Sequence, residues 1–235
     1  MREPGARMGA GGGGGGAPSL PSSGLILDLD AAVGVTTSGG LVTSWADQSP
    51  SGLTATSVVG REPTYDVTGG PASTPAVVVT GGQIMELSGD LRPTSGPVTV
   101  LVVMDDTSPS NAFRYLIDSD STRRIIEQIT GSGGSTGYFD GSHRSIAASA
   151  RGEQVLTWTL QSSGGEMFRG RSSIGTGVYT EAEWAGRVAL FADRLGATQF
   201  AHAEVARILV WDRILSASEL TQAWDYIDSI YGVAP

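Results

Sequence analysis

The sequence predicts an all-β sandwich or jelly roll with one C-terminal α-helix packed on it. Three observations predict it. Short apolar or β-branched runs recur between Gly, Ser, Asp and Pro turn signals from residue 24 to residue 211. The chain is 40% hydrophobic but only 17% charged, so its surface must lean on Ser, Thr and Gly, as strands joined by many turns do. One helical segment opens with a start signal, Ser216-Ala217-Ser218-Glu219. A length of 235 residues fits one large all-β domain better than two small ones.

The elements follow in order. Leu25 to Asp30 starts apolar and then alternates, and Gly39-Gly40 turns into a strand over Leu41 to Trp45. Ala76 to Val79 and Ile84 to Leu87 flank Gly81-Gly82, which predicts a hairpin. Val98 to Met104 is β-branched and nearly all apolar, the pattern of a central strand buried on both faces. Further strands are expected at Tyr115 to Asp118, Ile125 to Ile129, Gly137 to Phe139, Val155 to Leu160, Glu166 to Phe168, Val188 to Phe191 and Glu204 to Trp211. The stretches 131 to 145 and 172 to 186 read as long loops. Ser216 and Glu219 form a capping box, Leu220, Ala223, Trp224, Ile227, Ile230 and Tyr231 fall on one helical face, and Gly232 ends the helix. No repeat is long enough for a propeller.

Residues 1 to 23 are of low complexity and cannot build a core. The run Gly11, Gly12, Gly13, Gly14, Gly15 and Gly16 has no side chains to bury and loses much backbone entropy on ordering. This divides the chain into an arm, 1 to 23, and a sandwich domain, 24 to 235. Glycine follows Arg2 and Arg7 where an export signal needs an apolar stretch, so no ordinary secretory signal is expected. No apolar run is long enough to span a membrane. A formal charge of −9 argues against a nucleic-acid-binding face. All 15 basic residues are arginine, and there is no cysteine, which excludes disulfides, thiolate metal sites and cysteine nucleophiles.

Four blocks resemble the concanavalin A-like lectin/glucanase superfamily, in its laminin G-like bacterial and phage branch. Trp45-Ala46-Asp47-Gln48-Ser49-Pro50-Ser51-Gly52-Leu53-Thr54-Ala55-Thr56 resembles a W-x-D-x-S-G-N-G-x-x-A-T turn, with Pro50-Ser51 in place of Gly-Asn. Pro75 to Gly82 resembles the P-A-x-x-F-x-G strand and turn, and Val98 to Met104 the long apolar strand after it. Glu204 to Ser216 resembles the I-A-E-V-L-I-Y-D-R-A-L-S closing strand, followed by the capped helix and a Tyr-Gly ending. The resemblance covers residues 24 to 233 and implies a jelly roll of two antiparallel sheets, with Trp45 turned inward and Asp47 shaping a turn. The superfamily holds lectins, hydrolases and structural modules, so function must be argued from sites.

Catalysis is not expected. Hydrolases of the superfamily carry E-x-D-x-E on one strand, and that motif is absent; the nearest echo is Glu181-Ala182-Glu183. His143 and His202 have no metal-ligand spacing. Calcium is possible as a cofactor, because Asp105, Asp106, Asp118 and Asp120 end strands and offer carboxylate oxygens, although such aspartates more simply cap turns. Candidate glycan contacts are Tyr138, Asp140, His143 and Arg144 in the first long loop and Tyr179 and Trp184 in the second, the alternative being that alternate aromatics here point into the core, as is expected of Trp158 and Phe168.

The resulting expectation is a non-enzymatic virion component of a tailed phage or phage-like particle: a head decoration, fibre or tail adhesin. The arm would bind other virion proteins. The lectin-like domain, displayed in multiple or homo-oligomeric copies, would meet host surface glycans. The particle would leave the host cytoplasm without a secretion signal. A free lectin module is the alternative, and a degenerate glycoside hydrolase is more remote.

Overall fold

The computed structural model describes residues 18–92, 94–107, 113–120, 124–128, 135–139, 143–148, 151–181, 183–193 and 200–233. Among them are β1 (Leu25–Asp30), β2 (Val35–Ser38), β3 (Leu41–Ala46), β4 (Thr54–Ser57), β5 (Thr64–Gly70), β6 (Thr74–Thr80), β7 (Met85–Leu87), β8 (Val98–Asp106) and β9 (Phe113–Ser119). There follow β10 (Arg124–Gln128), β11 (Ser135–Phe139), β12 (His143–Ala148), β13 (Gly152–Leu160), β14 (Gly165–Arg169), β15 (Ser172–Gly177), β16 (Val188–Leu190), β17 (His202–Trp211) and α1 (Ala217–Tyr231).

Every strand pairing is antiparallel, and the strands form two layers. The first runs β15–β14–β13–β8–β17, and the far edge of β17 is shared by β6 and β1, with β5 beyond β6. The second runs β2–β3–β4–β7–β16–β9–β10–β11–β12. They meet where Leu41 pairs with Thr64.

β8 shows how the layers are specified. Val98, Val100, Val102 and Met104 face the second sheet in the main core, while Leu101 and Val103 lie under α1. The two-residue strand period puts successive side chains on opposite faces, so a continuous apolar run suits a strand covered on both sides. Trp45 is fully buried in the main core. The Asp47 carboxylate accepts from the Asp28 and Ser49 backbones at 2.7 and 2.8 Å, and from the Ser49 hydroxyl and Leu53 N–H at 2.7 and 3.2 Å.

The helix carries both halves of its capping box, and Gly232 closes it in the left-handed region at φ 62°. The hydrogen bond from Arg213, joined by those from Ser216, holds the Glu219 carboxyl down at about 2. Leu220, Ala223, Trp224, Ile227 and Tyr231 are buried on the first sheet, whereas Ile230, expected in the same stripe, is 41% exposed at its margin. Beneath the helix, Arg207 reaches both carboxylate oxygens of Asp28 at 2.9 and 2.8 Å and Asp30 at 3.0 Å.

Two expectations are corrected. β6 and β7 do not form a hairpin: β6 pairs with β5 and β17, and β7 with β4 and β16, so Gly81-Gly82 carries the chain from one sheet to the other. Gly81 has φ +95°, and a Cβ there would meet the His202 ring at 2.4 Å. The stretches expected as long loops hold, besides the strand expected at Gly137 to Phe139 within β11, the start of β12 and the whole of β15, whose mostly small residues owe their strand character to pairing rather than propensity.

Pro18 to Ser23 lies along the domain. The Trp211 indole donates to the Pro21 carbonyl at 2.8 Å, Arg213 to Ser23 at 3.0 Å and Gln222 to Ser19 at 2.9 Å, and Leu20 packs on the helix cluster. The glycine run Gly11 to Gly16 falls outside the described residues.

Candidate functional site

A cleft of about 620 Å³ opens between the β13–β14–β15 end of the first sheet and the first two turns of α1. Strand alternation builds one wall. Met167 points into the core, which turns Glu166 and Phe168 outward, and in register Glu166 lies between Thr159 and Thr176. Helical spacing builds the other, with Ala217, Leu220, Thr221 and Trp224 at i, i+3, i+4 and i+7.

The floor is aromatic and aliphatic. Phe168 meets Trp224 edge-on, with ring centroids 5.1 Å apart, and the Trp224 indole is fixed by donating to Thr157 Oγ1 at 3.1 Å. The rim is polar. Arg171 is tied to Asp225 at 2.8 Å, but the Glu166 carboxylate and the Gln161 carboxamide have no side-chain partner among the described residues. An apolar floor below a few unengaged polar groups suits a small ligand with one C–H-rich face and several hydroxyls. Among the described residues Glu166 is the one carboxylate in the lining, whereas glycoside hydrolysis uses a pair.

The aromatic residues expected at a glycan-binding rim lie elsewhere. Tyr138, Tyr179 and Trp184 are at most 1% exposed and form part of the main core. Tyr138 donates to the Val178 carbonyl at 2.6 Å, the Trp184 indole donates to the Tyr179 hydroxyl at 2.8 Å, and the two tyrosine rings meet edge-on at 5.6 Å. Their polar tips find partners inside, so burial costs them little. The two sequence stretches are brought together, but as packing rather than as an open rim. Asp140 lies outside the described residues. His143 and Arg144 open β12 opposite Phe139 and Tyr138, and their side chains are also outside what is described.

The aspartates considered for calcium are divided between the sheets. Asp105 and Asp106 end β8 of the first sheet, while Asp118 and Asp120 stand at the end of β9 of the second. Asp118 is fully buried and accepts from the Ser119 N–H at 2.9 Å, and Asp120 accepts from the Arg187 N–H at 2.9 Å. Asp105 lies between Glu153 and Glu204 in register. Burial, then the charges of Glu153 and Asp106, pushes its carboxyl up; burial, then Asp105 and Asp66, does the same to Glu204. Among the described residues no group of three or more acidic or histidine side chains is arranged to hold a metal ion. Glu181 accepts from the Ser162 N–H and hydroxyl at 2.9 and 3.0 Å. No helix of the described residues is long and apolar enough to cross a membrane.

The cleft was not legible in the sequence. Phe168 and Trp224 carry the signature of core residues, and only the docking of α1 beside β14 turns their edges into a floor. Glu166 alternates with buried neighbours as any strand-surface acid does.

No protein-family profile matches the chain, and no curated protein matches it by sequence. Solved structures do match. Domain 4 of AbnA, a GH43 extracellular arabinanase from Geobacillus stearothermophilus solved with arabinotriose, superposes with TM-score 0.65 at 11% identity over 86% of this chain and 99% of that one. A GH54 α-L-arabinofuranosidase matches with TM-score 0.62 at 12% identity, over 89% of this chain and 60% of that one. A Trypanosoma rangeli sialidase variant with trans-sialidase activity matches with TM-score 0.59 at 10% identity, over 89% of this chain but 34% of that one. The chain thus spans about a third of the sialidase. The likeness is one of fold: the chain shares an all-β sandwich with these structures.

Proposed function

We propose that the protein is a non-catalytic carbohydrate-binding domain whose sugar site is the cleft between β13–β15 and α1, and that its N-terminal arm tethers it to a larger assembly. The observation that carries this reading is the pairing of an aromatic floor, Phe168 and Trp224, with two unengaged polar side chains, Gln161 and Glu166. The arabinanase domain of the same fold, solved with arabinotriose, supports it, as that domain is matched over nearly its whole length. A single carboxylate in the lining favours binding over hydrolysis. The assembly that best fits the sequence is a tailed-phage or phage-like virion, with the sandwich displayed in many copies so that avidity strengthens a weak sugar contact.

Two experiments test this. Full-length protein is titrated with arabino-, gluco- and galacto-oligosaccharides, and the Glu166→Ala and Gln161→Ala variants follow. Loss of a hydrogen bond to a charged or amide group predicts roughly tenfold weaker binding in each. Unchanged binding in both variants would remove the cleft from the reading, and release of sugar from a polysaccharide would overturn the non-catalytic assignment. For the tether, full-length protein and a form lacking residues 1–17, which leaves the clipped segment Pro18 to Ser23 intact, are co-sedimented with particles stripped of the protein. Binding by the full-length form alone supports the arm as anchor; binding by both, or by neither, rejects it.

A further inference from the structure

We propose that Arg92 anchors an oxyanion site at the end of the sandwich where β8 begins, one that takes a carboxylate or sulfate carried by an acidic saccharide. The argument starts from a contrast between two equally buried arginines. Arg207, 3% exposed, is met by three carboxylate oxygens from Asp28 and Asp30. Arg92, 4% exposed, has no carboxylate partner among the described residues. Its Nη1 donates to the Gly96 carbonyl, and its Nε is enclosed without a partner. Nη2 is the remaining nitrogen, with neither a partner nor complete enclosure. A buried cation left this way loses hydration with no carboxylate in contact and only the longer-range pull of Asp212 and Glu181, a shortfall that a bound anion relieves.

The surroundings keep the guanidinium where it is. The Arg92 N–H donates to the Trp184 carbonyl at 3.0 Å and the Trp184 N–H returns a bond to the Arg92 carbonyl at 2.7 Å. The Trp184 indole is held by Tyr179, and Tyr179 packs edge-on against Tyr138. These bonds fix the Arg92 backbone beside that aromatic cluster, and the Gly96 carbonyl holds the guanidinium itself. Gly96 lies beside Nη2 at φ +151°, and a Cβ there would come within 2.3 Å of that nitrogen, so any other residue would close the space. Burial lowers the Arg92 pKa, with Tyr179, Asp212 and Glu181 pulling the other way. Planar guanidinium donors match carboxylate and sulfate oxygens in geometry as well as charge. The site rests on the carbohydrate reading only for the molecule that carries the oxyanion, and it is separate from Glu166 and Gln161.

The test uses the full-length protein with three probes: trigalacturonate, sodium sulfate and the neutral maltotriose, each against sodium chloride at matched ionic strength. Trigalacturonate and sulfate are expected to bind the wild type, and Arg92→Met and Arg92→Lys to bind trigalacturonate roughly tenfold or more weakly. Any maltotriose binding is expected to be the same in all three proteins, and to respond to Glu166→Ala instead. Binding of trigalacturonate without sulfate identifies the sugar acid as the source, and binding of both identifies the oxyanion alone as sufficient. Equal anion binding by wild type and Arg92→Lys, or none by wild type, overturns the proposal. Should Arg92→Met fail to fold, the Arg92 Nε–H resonance of the wild type, assigned with Arg92→Lys, decides. A shift with trigalacturonate or sulfate and not with chloride supports the site, and a resonance that neither moves removes it.

Discussion

Asp47→Ala removes the carboxylate that joins the turn after β3 to the start of the sandwich. Four donors lose their acceptor: the backbone N–H groups of Asp28, Ser49 and Leu53 and the Ser49 hydroxyl. They do not count equally. Asp28 is 5% and Ser49 8% exposed, so their N–H groups are left largely dry, whereas the Ser49 hydroxyl can rotate and Leu53 is only half-buried. Two dry orphaned donors at roughly 1–2 kcal/mol each predict a loss of about 2–4 kcal/mol. Asp47→Asn keeps one carbonyl acceptor for Asp28 and Ser49 but turns an amide toward Leu53, and should lose about half as much. Urea unfolding followed by tryptophan fluorescence measures both, and an unchanged m-value shows that the native state is otherwise intact. If both variants unfold within about 0.5 kcal/mol of the wild type, the carboxylate is not what fixes this turn, and the argument from hydrogen-bond satisfaction fails.

Other expectations follow from the same contacts. Trp224→Ala empties the interface between α1 and the first sheet, takes the ring from Phe168 and orphans Thr157 Oγ1; it should cost about 3–5 kcal/mol by denaturant unfolding. Asp105 and Glu204, whose carboxyls burial and neighbouring acids push up, contribute stability that is present below the ordinary carboxylate pKa and is lost as pH rises through their raised folded values. Asp105→Asn should therefore raise the melting temperature at neutral pH and leave it unchanged at about pH 3, where the side chain at this position is uncharged in both proteins. An Asn variant less stable than wild type at neutral pH would show that the charge is used rather than endured.

Much of the fold can be read locally because its signals are local. The capping box of Ser216 and Glu219 satisfies donors within one turn, and the unbroken apolar run of β8 is legible because a two-residue period with no polar face admits only burial on both sides. The Asp47 turn is likewise a short-range set of bonds. Gly81-Gly82 marks the contrast: the residues announce a reversal, but whether the next strand pairs with the previous one or joins the opposite sheet depends on β4 and β16, which are remote in sequence. β12 and β15 gave no strand signal in the sequence and pairing made them, whereas Gly137 to Phe139 of β11 was legible as a strand.

By itself, then, the sequence determined the all-β class, the central strand and the capped helix, since period-two burial and end-capping act over a few residues. Tertiary structure alone decided which side chains meet solvent. It withdrew Tyr138, Tyr179 and Trp184 into the core, set Phe168 and Trp224 as the floor of a cleft, and enclosed Arg92 with no carboxylate in contact among the described residues. Exposure depends on what other segments cover, and that is settled only when the two sheets and the helix close on one another.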